Sequence, residues 1–180
     1  MAYIVALVET QIGIFCLWQN LNNGVIIWTN LLKERILMKI AVVFWSGTGN
    51  TEAMADAMAE GAKSAGAEVE LFTADAFTIE KLGGVDGVLF GCPAMGNEVL
   101  EESEFEPMFA SVESRLSGMP VGLFGSYGWG SGEWMEDWKK RCVDDGAKVY
   151  GDGVIVNDAP DDEALADCKA YAEGLVRENA

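Results

Sequence analysis

The chain has 180 residues, half of them apolar and 10% aromatic, which is enough for one domain with a sizeable core and too apolar for disorder. Its formal net charge of −17 argues against nucleic acid or an anionic membrane as a partner and favours docking onto basic protein surfaces. It has no histidine, so histidine acid–base catalysis, histidine-containing triads and histidine metal ligands are all excluded.

Residues 1–37 differ from the rest. Apolar bursts at 3–8 and 12–18 are followed by a Gln- and Asn-rich stretch at 19–23 and a third apolar run at 25–28. Their only charges, Glu9, Lys33, Glu34 and Arg35, cancel, so the whole −17 belongs to residues 38–180. The uncharged run 10–32 is long enough to reach across a bilayer, but its centre is polar where a span needs about 20 predominantly apolar residues. No basic segment precedes the first apolar burst, so a secretory signal is not expected. Met38 stands immediately before the first convincing strand. Residues 1–37 are therefore expected outside the functional domain, as a leader or mis-assigned start, with membrane association or an extra packed element as the alternatives.

From Met38 onward, strand and helix patterns alternate. Residues 39–45 read as an apolar, β-branched strand. Residues 51–64 read as a helix with Met54, Ala55, Met58 and Ala62 on one face, and Gly66 ends it. Residues 67–73 form a second strand, whose alternation of Val69, Leu71 and Thr73 with Glu68 and Glu70 suggests a sheet edge. A short helical turn at 77–82 precedes the wholly apolar strand 87–91, which should be buried on both faces. Helix 104–116, strand 120–126, helix 132–145 and a strand broken into 147–150 and 153–157 follow. The last helix, 161–178, carries Asp161, Asp162 and Glu163 at its N-terminus, where the helix dipole favours them. Five strands alternating with helices predict an α/β fold, a doubly wound parallel sheet in three α/β/α layers. In such sheets ligands sit at the carboxyl ends of the strands.

Three loops lie at those ends. The first, residues 45–51, is Trp-Ser-Gly-Thr-Gly-Asn-Thr between a strand and a helix. Gly47 and Gly49 let backbone N–H groups turn inward, Ser46, Thr48 and Thr51 add hydroxyls, and the helix points its positive end at the loop. That is a nest for a phosphate. It lacks the Gly-Lys-Ser/Thr ending of a nucleoside-triphosphate loop, so a phosphate monoester fits better. The second loop, 92–98, holds Met95, a large apolar side chain where polar ones are expected, in a tight turn through Gly96. The third, 126–132, places Tyr127 and Trp129 between glycines. Either these rings fold back over the core, or they and Met95 clamp a flat ligand ring. Phosphate at one end and a ring at the other, with no nucleophile or base nearby, put the chemistry in the ligand. The four cysteines, Cys16, Cys92, Cys142 and Cys168, have no C-x-x-C spacing. They read as reduced thiols of a cytosolic protein rather than a metal site.

Residues 38–180 closely resemble the short-chain flavodoxins of anaerobic bacteria, through 45–51, 94–96, 99–107 and 124–130. The resemblance covers the whole domain and none of 1–37. It implies the strand order 2-1-3-4-5 and non-covalently bound FMN. The phosphate would lie on Ser46, Thr48, Asn50 and Thr51 and the loop amides, closed by Ser126. Trp129 would cover the outer face of the isoalloxazine and Met95 the inner face, with Glu98 accepting from flavin N3–H. Trp45, Gly47, Gly49, Pro93, Ala94, Asn97, Tyr127, Gly128 and Gly130 complete the implied cofactor site. In this family the Gly96–Asn97 peptide turns its carbonyl toward N5 when the flavin is half reduced. Asn97 stands where a close relative has Asp, which removes a charge near the ring.

The resemblance also implies a cytoplasmic, monomeric electron carrier between redox proteins rather than an enzyme. The acidity adds a low potential to that expectation. One carboxylate about 10 Å from the ring acts on an added negative charge by roughly 1–2 kcal/mol, and about 1.4 kcal/mol is about 59 mV for one electron. Glu98, Glu101 and Glu102 are the nearest candidates. The alternative on the same fold is an FMN-dependent NAD(P)H–quinone or other small-molecule oxidoreductase. It needs a second ligand site over the flavin, where Trp129 is expected. A phosphoacceptor signalling domain needs an Asp after the third strand, where Cys92-Pro93 stands.

Overall fold

The computed structural model describes residues 37–180 and, before them, the backbone of three strands, Tyr3–Thr10, Gly13–Asn20 and Ile26–Thr29. These three form an antiparallel sheet in chain order, in a segment where no individual strand was expected and an extra packed element was only an alternative. The chain divides into two compact units, Met1–Ile36 and Leu37–Ala180. The leader, membrane and packed-element readings of 1–37 turn in part on residues 1–2, 11–12, 21–25 and 30–36, which lie outside the described ones.

In the second unit the strands are β1 (Lys39–Phe44), β2 (Glu68–Thr73), β3 (Gly87–Gly91), β4 (Pro120–Tyr127), β5 (Lys148–Val149) and β6 (Val154–Asn157). The helices are α1 (Asn50–Ser64), α2 (Ile79–Leu82), α3 (Phe105–Val112), α4 (Glu133–Asp144) and α5 (Asp162–Asn179). The strands run parallel in the order β2-β1-β3-β4-β5, and β6 also pairs with β4. The expected order 2-1-3-4-5 is met. The fifth strand is indeed broken: β5 lies on Pro120 and Val121, and β6 on residues 124–127, further along the same edge.

Each sheet face buries its own core. On one face Ile40, Val42, Phe44 and Leu89 meet Met54, Ala55, Met58 and Ala62 of α1 and Cys168, Ala172, Leu175 and Val176 of α5. On the other, Ala41, Val43, Val88, Phe90, Val121 and Leu123 meet Phe105, Phe109 and Val112 of α3 and Trp134, Trp138 and Cys142 of α4. Alternate residues of β1 thus enter opposite cores, and β1 and β3 are apolar because both their faces are covered. β2 is the edge, as its alternation suggested, and leaves Leu71 exposed. Helices α1 and α5 approach so closely that a Cβ on Gly61 would lie 2.2 Å from the Lys169 carbonyl oxygen.

The turns follow from local chemistry. Gly66 and Gly146 take positive φ just past α1 and α4. Their N–H groups bond to Lys63 and Val143, while Ala67 and Ala147 reach back to Ala62 and Cys142, the six-to-one closure that satisfies the last carbonyls. Asp161 caps α5 by accepting from the Ala164 N–H at 2.9 Å. Two elements differ from expectation. The helix expected over 104–116 gives way after Val112 to a tighter turn at Glu113–Arg115. Phe77 is extended and belongs to no helix, because its ring packs into the aromatic core instead.

Glu101 starts α3 in a way the sequence did not reveal. It is 6% exposed, and its carboxylate accepts N–H groups of Ser103, Glu104 and Phe105 at 2.8–2.9 Å. Burial alone raises its pKa, and donation from Phe105, Glu104 and Ser103 outweighs that, so the carboxyl titrates below its usual range. The stabilisation is therefore present above the unfolded value of about 4.3 and is lost as pH falls through the depressed folded value. Glu101→Gln should cost about 1–3 kcal/mol at pH 7, measured by urea unfolding. The gap from the parent protein should shrink steadily below about pH 4.

Candidate functional site

A cleft of about 330 Å³ opens at the carboxyl ends of β1, β3 and β4. Trp45, Gly47, Thr48 and Asn50 line it from the first loop, Pro93, Ala94 and Met95 from the second, and Ser126, Tyr127 and Gly128 from the third. No lysine or arginine lines it. The structure thus brings together ten of the sequence-expected residues, from three loops far apart in the chain.

Ser46, Gly49 and Thr51 do not line the cleft; they hold its walls. The Ser46 hydroxyl accepts the Gly49 N–H at 3.0 Å, which curls the loop into the start of α1. Gly49 sits at φ 91° as the residue before that helix. Thr51 and Ser126, 75 positions apart, are buried and share a hydrogen bond of 3.2 Å between their hydroxyls. That bond fastens the first loop to the third. Trp45 donates its indole N–H to Glu104 at 3.0 Å, and its ring lies against Gly47. What remains open is backbone N–H at the first turn of α1, with the Thr48 and Asn50 side chains. These uncharged donors and the helix dipole suit an anion.

The second loop is a closed turn. Met95 and Val99 exchange two backbone hydrogen bonds of 2.9 Å, with Gly96 at φ 48° and Glu98 at φ 53°. A Cβ on Gly96 would meet nothing within 4 Å, so glycine is needed there for its backbone conformation and not for room. The second loop joins the third through the Ala94 N–H, which donates to the Ser126 carbonyl at 2.9 Å.

The two aromatics of the third loop part company. Tyr127 folds back, its ring tilted against Trp134 at 5.5 Å between centroids. Met95, in the lining, is 36% exposed, and Trp129, next to the lining residue Gly128 but not itself in the lining, stands 65% exposed. Glu98 has a use that the sequence did not suggest. One carboxylate oxygen, Oε1, accepts the N–H groups of Ser131, Gly132 and Glu133 at 2.7–3.0 Å, which caps α4. Gly130 holds φ 108°, a backbone conformation that favours glycine, and a Cβ there would also lie 2.4 Å from the Glu98 carboxylate. Gly96 and Asn97 are exposed and lie beside the cleft rather than in its lining.

Sequence reasoning missed Asp158. It follows β6, lines the cleft, and holds φ 55° while its N–H donates to the Tyr127 carbonyl at 2.8 Å. The run Asn157-Asp158-Ala159-Pro160 is a turn signal that would have found it. Among the described residues no three His, Cys, Asp or Glu side chains are placed to hold a metal ion. Cys92, Cys142 and Cys168 are free and buried, and burial raises their thiol pKa values, to about 12 for Cys142 and Cys168, so none is a ready nucleophile.

The flavodoxin family model matches residues 42–171. Megasphaera elsdenii flavodoxin is 48% identical over 138 residues, which cover 77% of this chain and 98% of that protein. Clostridium beijerinckii flavodoxin is 46% identical over 134 residues, 74% of this chain and 96% of that one. The solution structure of two-electron reduced Megasphaera elsdenii flavodoxin superposes with a TM-score of 0.71. The chain belongs to the flavodoxin family. Flavodoxins bind FMN and carry electrons between redox proteins; they are not enzymes in their own right, and the oxidoreductase alternative is not favoured. The cleft fits that cofactor chemically. Its donor set is hydroxyls, amides and a helix N-terminus without a cation, which matches a flavodoxin's phosphate monoester rather than a triphosphate with a metal ion.

Proposed function

We propose that this chain is a low-potential, one-electron carrier that holds FMN across the three loops, works as a cytoplasmic monomer and docks onto basic surfaces of redox proteins. The observation that supports the cofactor placement is the cation-free cleft at the ends of β1, β3 and β4. In this reading Thr48, Asn50 and the α1 amides hold the phosphate. Ser46, Thr51 and Ser126 keep those donors in place, and Met95 and Trp129 flank the ring and exclude water from it. The second oxygen of Glu98, which has no partner among the described residues, receives N3–H. FMN supplies the electron chemistry when bound. The protein binds it, orients it and sets the surrounding charge. Glu101 stays ionised within that charge, its carboxylate fixed by the amides that start α3, and exposed Glu102 adds to it.

The test is the visible spectrum of the purified protein as FMN is added and then reduced stepwise. A yellow complex should form with one equivalent of FMN and should not oxidise NADH or NADPH without a reductase. A preparation that stays colourless ends the reading. Direct NAD(P)H oxidation favours the oxidoreductase.

Two further outcomes follow from this reading. Gly96→Ala should lower the first one-electron midpoint potential by about 60 mV and so narrow its separation from the second, since an alanine in the left-handed region costs about 1–2 kcal/mol and charges that cost to one conformer of the turn. A potentiometric titration with an unchanged separation removes the turn from the redox response. A chain starting at Met38 should bind FMN as tightly as the full chain in a fluorescence titration. Weaker binding would draw residues 1–37 into the function.

A further inference from the structure

A second cleft, of about 310 Å³, adjoins the second loop and shares Glu98 with it. Val99, Leu100, Trp134 and Trp138 give it an apolar, largely aromatic lining. Val99 is 42% exposed. The charged groups in the lining are Glu98, Glu102, Glu106, Asp137 and Arg141. They do not balance. Arg141 is already committed, its guanidinium bonded to both oxygens of Glu106 at 2.8 and 2.9 Å and to Glu113. Glu98 caps α4. Glu102 and Asp137 are left exposed, with no ion-pair partner among the described residues. Lys140, whose charge reaches Asp137, is bonded to Asp144 at 2.5 Å. One more group is unanswered: the buried indole N–H of Trp138 has no hydrogen-bond acceptor.

We propose that this cleft receives one long cationic side chain, lysine or arginine, from the redox partner. The proposal deepens the docking reading above and rests on it. The chemistry matches at both ends of such a side chain. Its methylene stem lies well on Val99 and the indoles, as the stems of lysine and arginine do on apolar surface. Its charge gains from the two exposed carboxylates, Glu102 and Asp137, that lack an ion-pair partner among the described residues. The orphaned donor of Trp138 belongs to the same lining but is buried, so an acceptor reaches it only if the cleft opens on docking. The volume is at the low end of the range of about 300–1,000 Å³ for ligand sites, room for a side chain rather than a second cofactor. Glu98 lines this cleft, follows Met95 in the second loop and holds the N–H groups at the end of the third, so a partner anchored here lies beside both loops.

The test uses the full, FMN-loaded chain labelled with nitrogen-15 and tetralysine as the probe at low salt. Of the six tryptophan indole signals, those of Trp134 and Trp138 should shift saturably. Glu102→Gln with Asp137→Asn should weaken tetralysine binding by about tenfold. Asp56→Asn with Glu178→Gln removes the same charge at exposed sites elsewhere and should change it less than about twofold. Equal weakening by both pairs, or unmoved Trp134 and Trp138 signals, overturns the cleft as the anchor. Electron transfer from the chemically reduced protein to a basic c-type cytochrome separates the two ideas. A rate that falls with salt yet ignores Glu102→Gln with Asp137→Asn keeps the basic partner and discards the cleft. A rate indifferent to salt discards the basic partner itself.

Discussion

Asn50→Asp should weaken FMN binding by about 100-fold or more and leave riboflavin binding within about threefold of the parent protein. Asn50 is the first residue of α1 and lines the cleft. Two like charges about 4 Å apart repel by about 4 kcal/mol at an effective dielectric near 20. Part of that is screened at a half-exposed position, and about 3 kcal/mol remains, slightly more than two decades in affinity. The change also removes an amide donor, which works in the same direction. The ligand-free protein should not suffer. A carboxylate in the first turn of a helix is favourable by about 0.3–1 kcal/mol, so the unliganded protein is expected to unfold at equal or higher urea. Riboflavin has the ring and the polyol chain but no phosphate, so it reports on the rest of the cleft alone. Fluorescence titrations with both ligands decide the matter. If both affinities fall together, the loop at 45–51 is not the phosphate nest.

Phe90→Ala removes the centre of the aromatic core and is expected to cost about 3–5 kcal/mol. Phe90 lies on β3, has no exposed surface, and meets Phe77, Phe105, Phe109 and Trp138 with ring centroids 5.3–6.5 Å apart. The four partners come from the β2–α2 connection, α3 and α4, so nothing local can collapse into the space left behind. At about 3 °C per kcal/mol for a domain of this size, the melting temperature should fall by about 10–15 °C. The FMN-loaded form should fall by a similar amount, because Phe90 is not in the cleft lining. Calorimetry of both forms checks this. A loss confined to the FMN-loaded form would mean that the residue acts on the cofactor. A fall of under about 3 °C would mean that the cluster repacks.

The architecture was legible because its strongest signals are periodic. β1 and β3 are unbroken apolar runs, and α1 repeats Met54, Ala55, Met58 and Ala62 on one face. That the loop at 45–51 lines the cleft was legible because its glycines, hydroxyls and lack of a lysine are all properties of consecutive residues. What the sequence concealed is tertiary. Nothing local distinguishes Glu101, buried under three N–H donors, from exposed Glu102 beside it. Glu98 could be matched to a ligand by resemblance, but its hold on α4 depends on a loop more than thirty positions away. Tyr127 and Trp129 look equivalent in a glycine-rich run. Only the position of Trp134 draws one ring inward and leaves the other in solvent. The end of the expected helix 104–116 was misjudged for the opposite reason: residues 113–115 have helical propensity but tighten into a 3₁₀ turn.

The missing side chain at Gly61 has a bearing on the order of events during synthesis. The helix that begins at the phosphate loop is the first of the domain, and the helix it touches so closely is the last. Until the final helix has emerged, Met54, Met58 and Ala62 lack much of the apolar surface that covers them. A nascent chain ending before Asp162 would therefore present the anion-binding turn on an unsupported scaffold. On the proposed reading, the anion-binding turn gains its full support only once α5 has docked against α1.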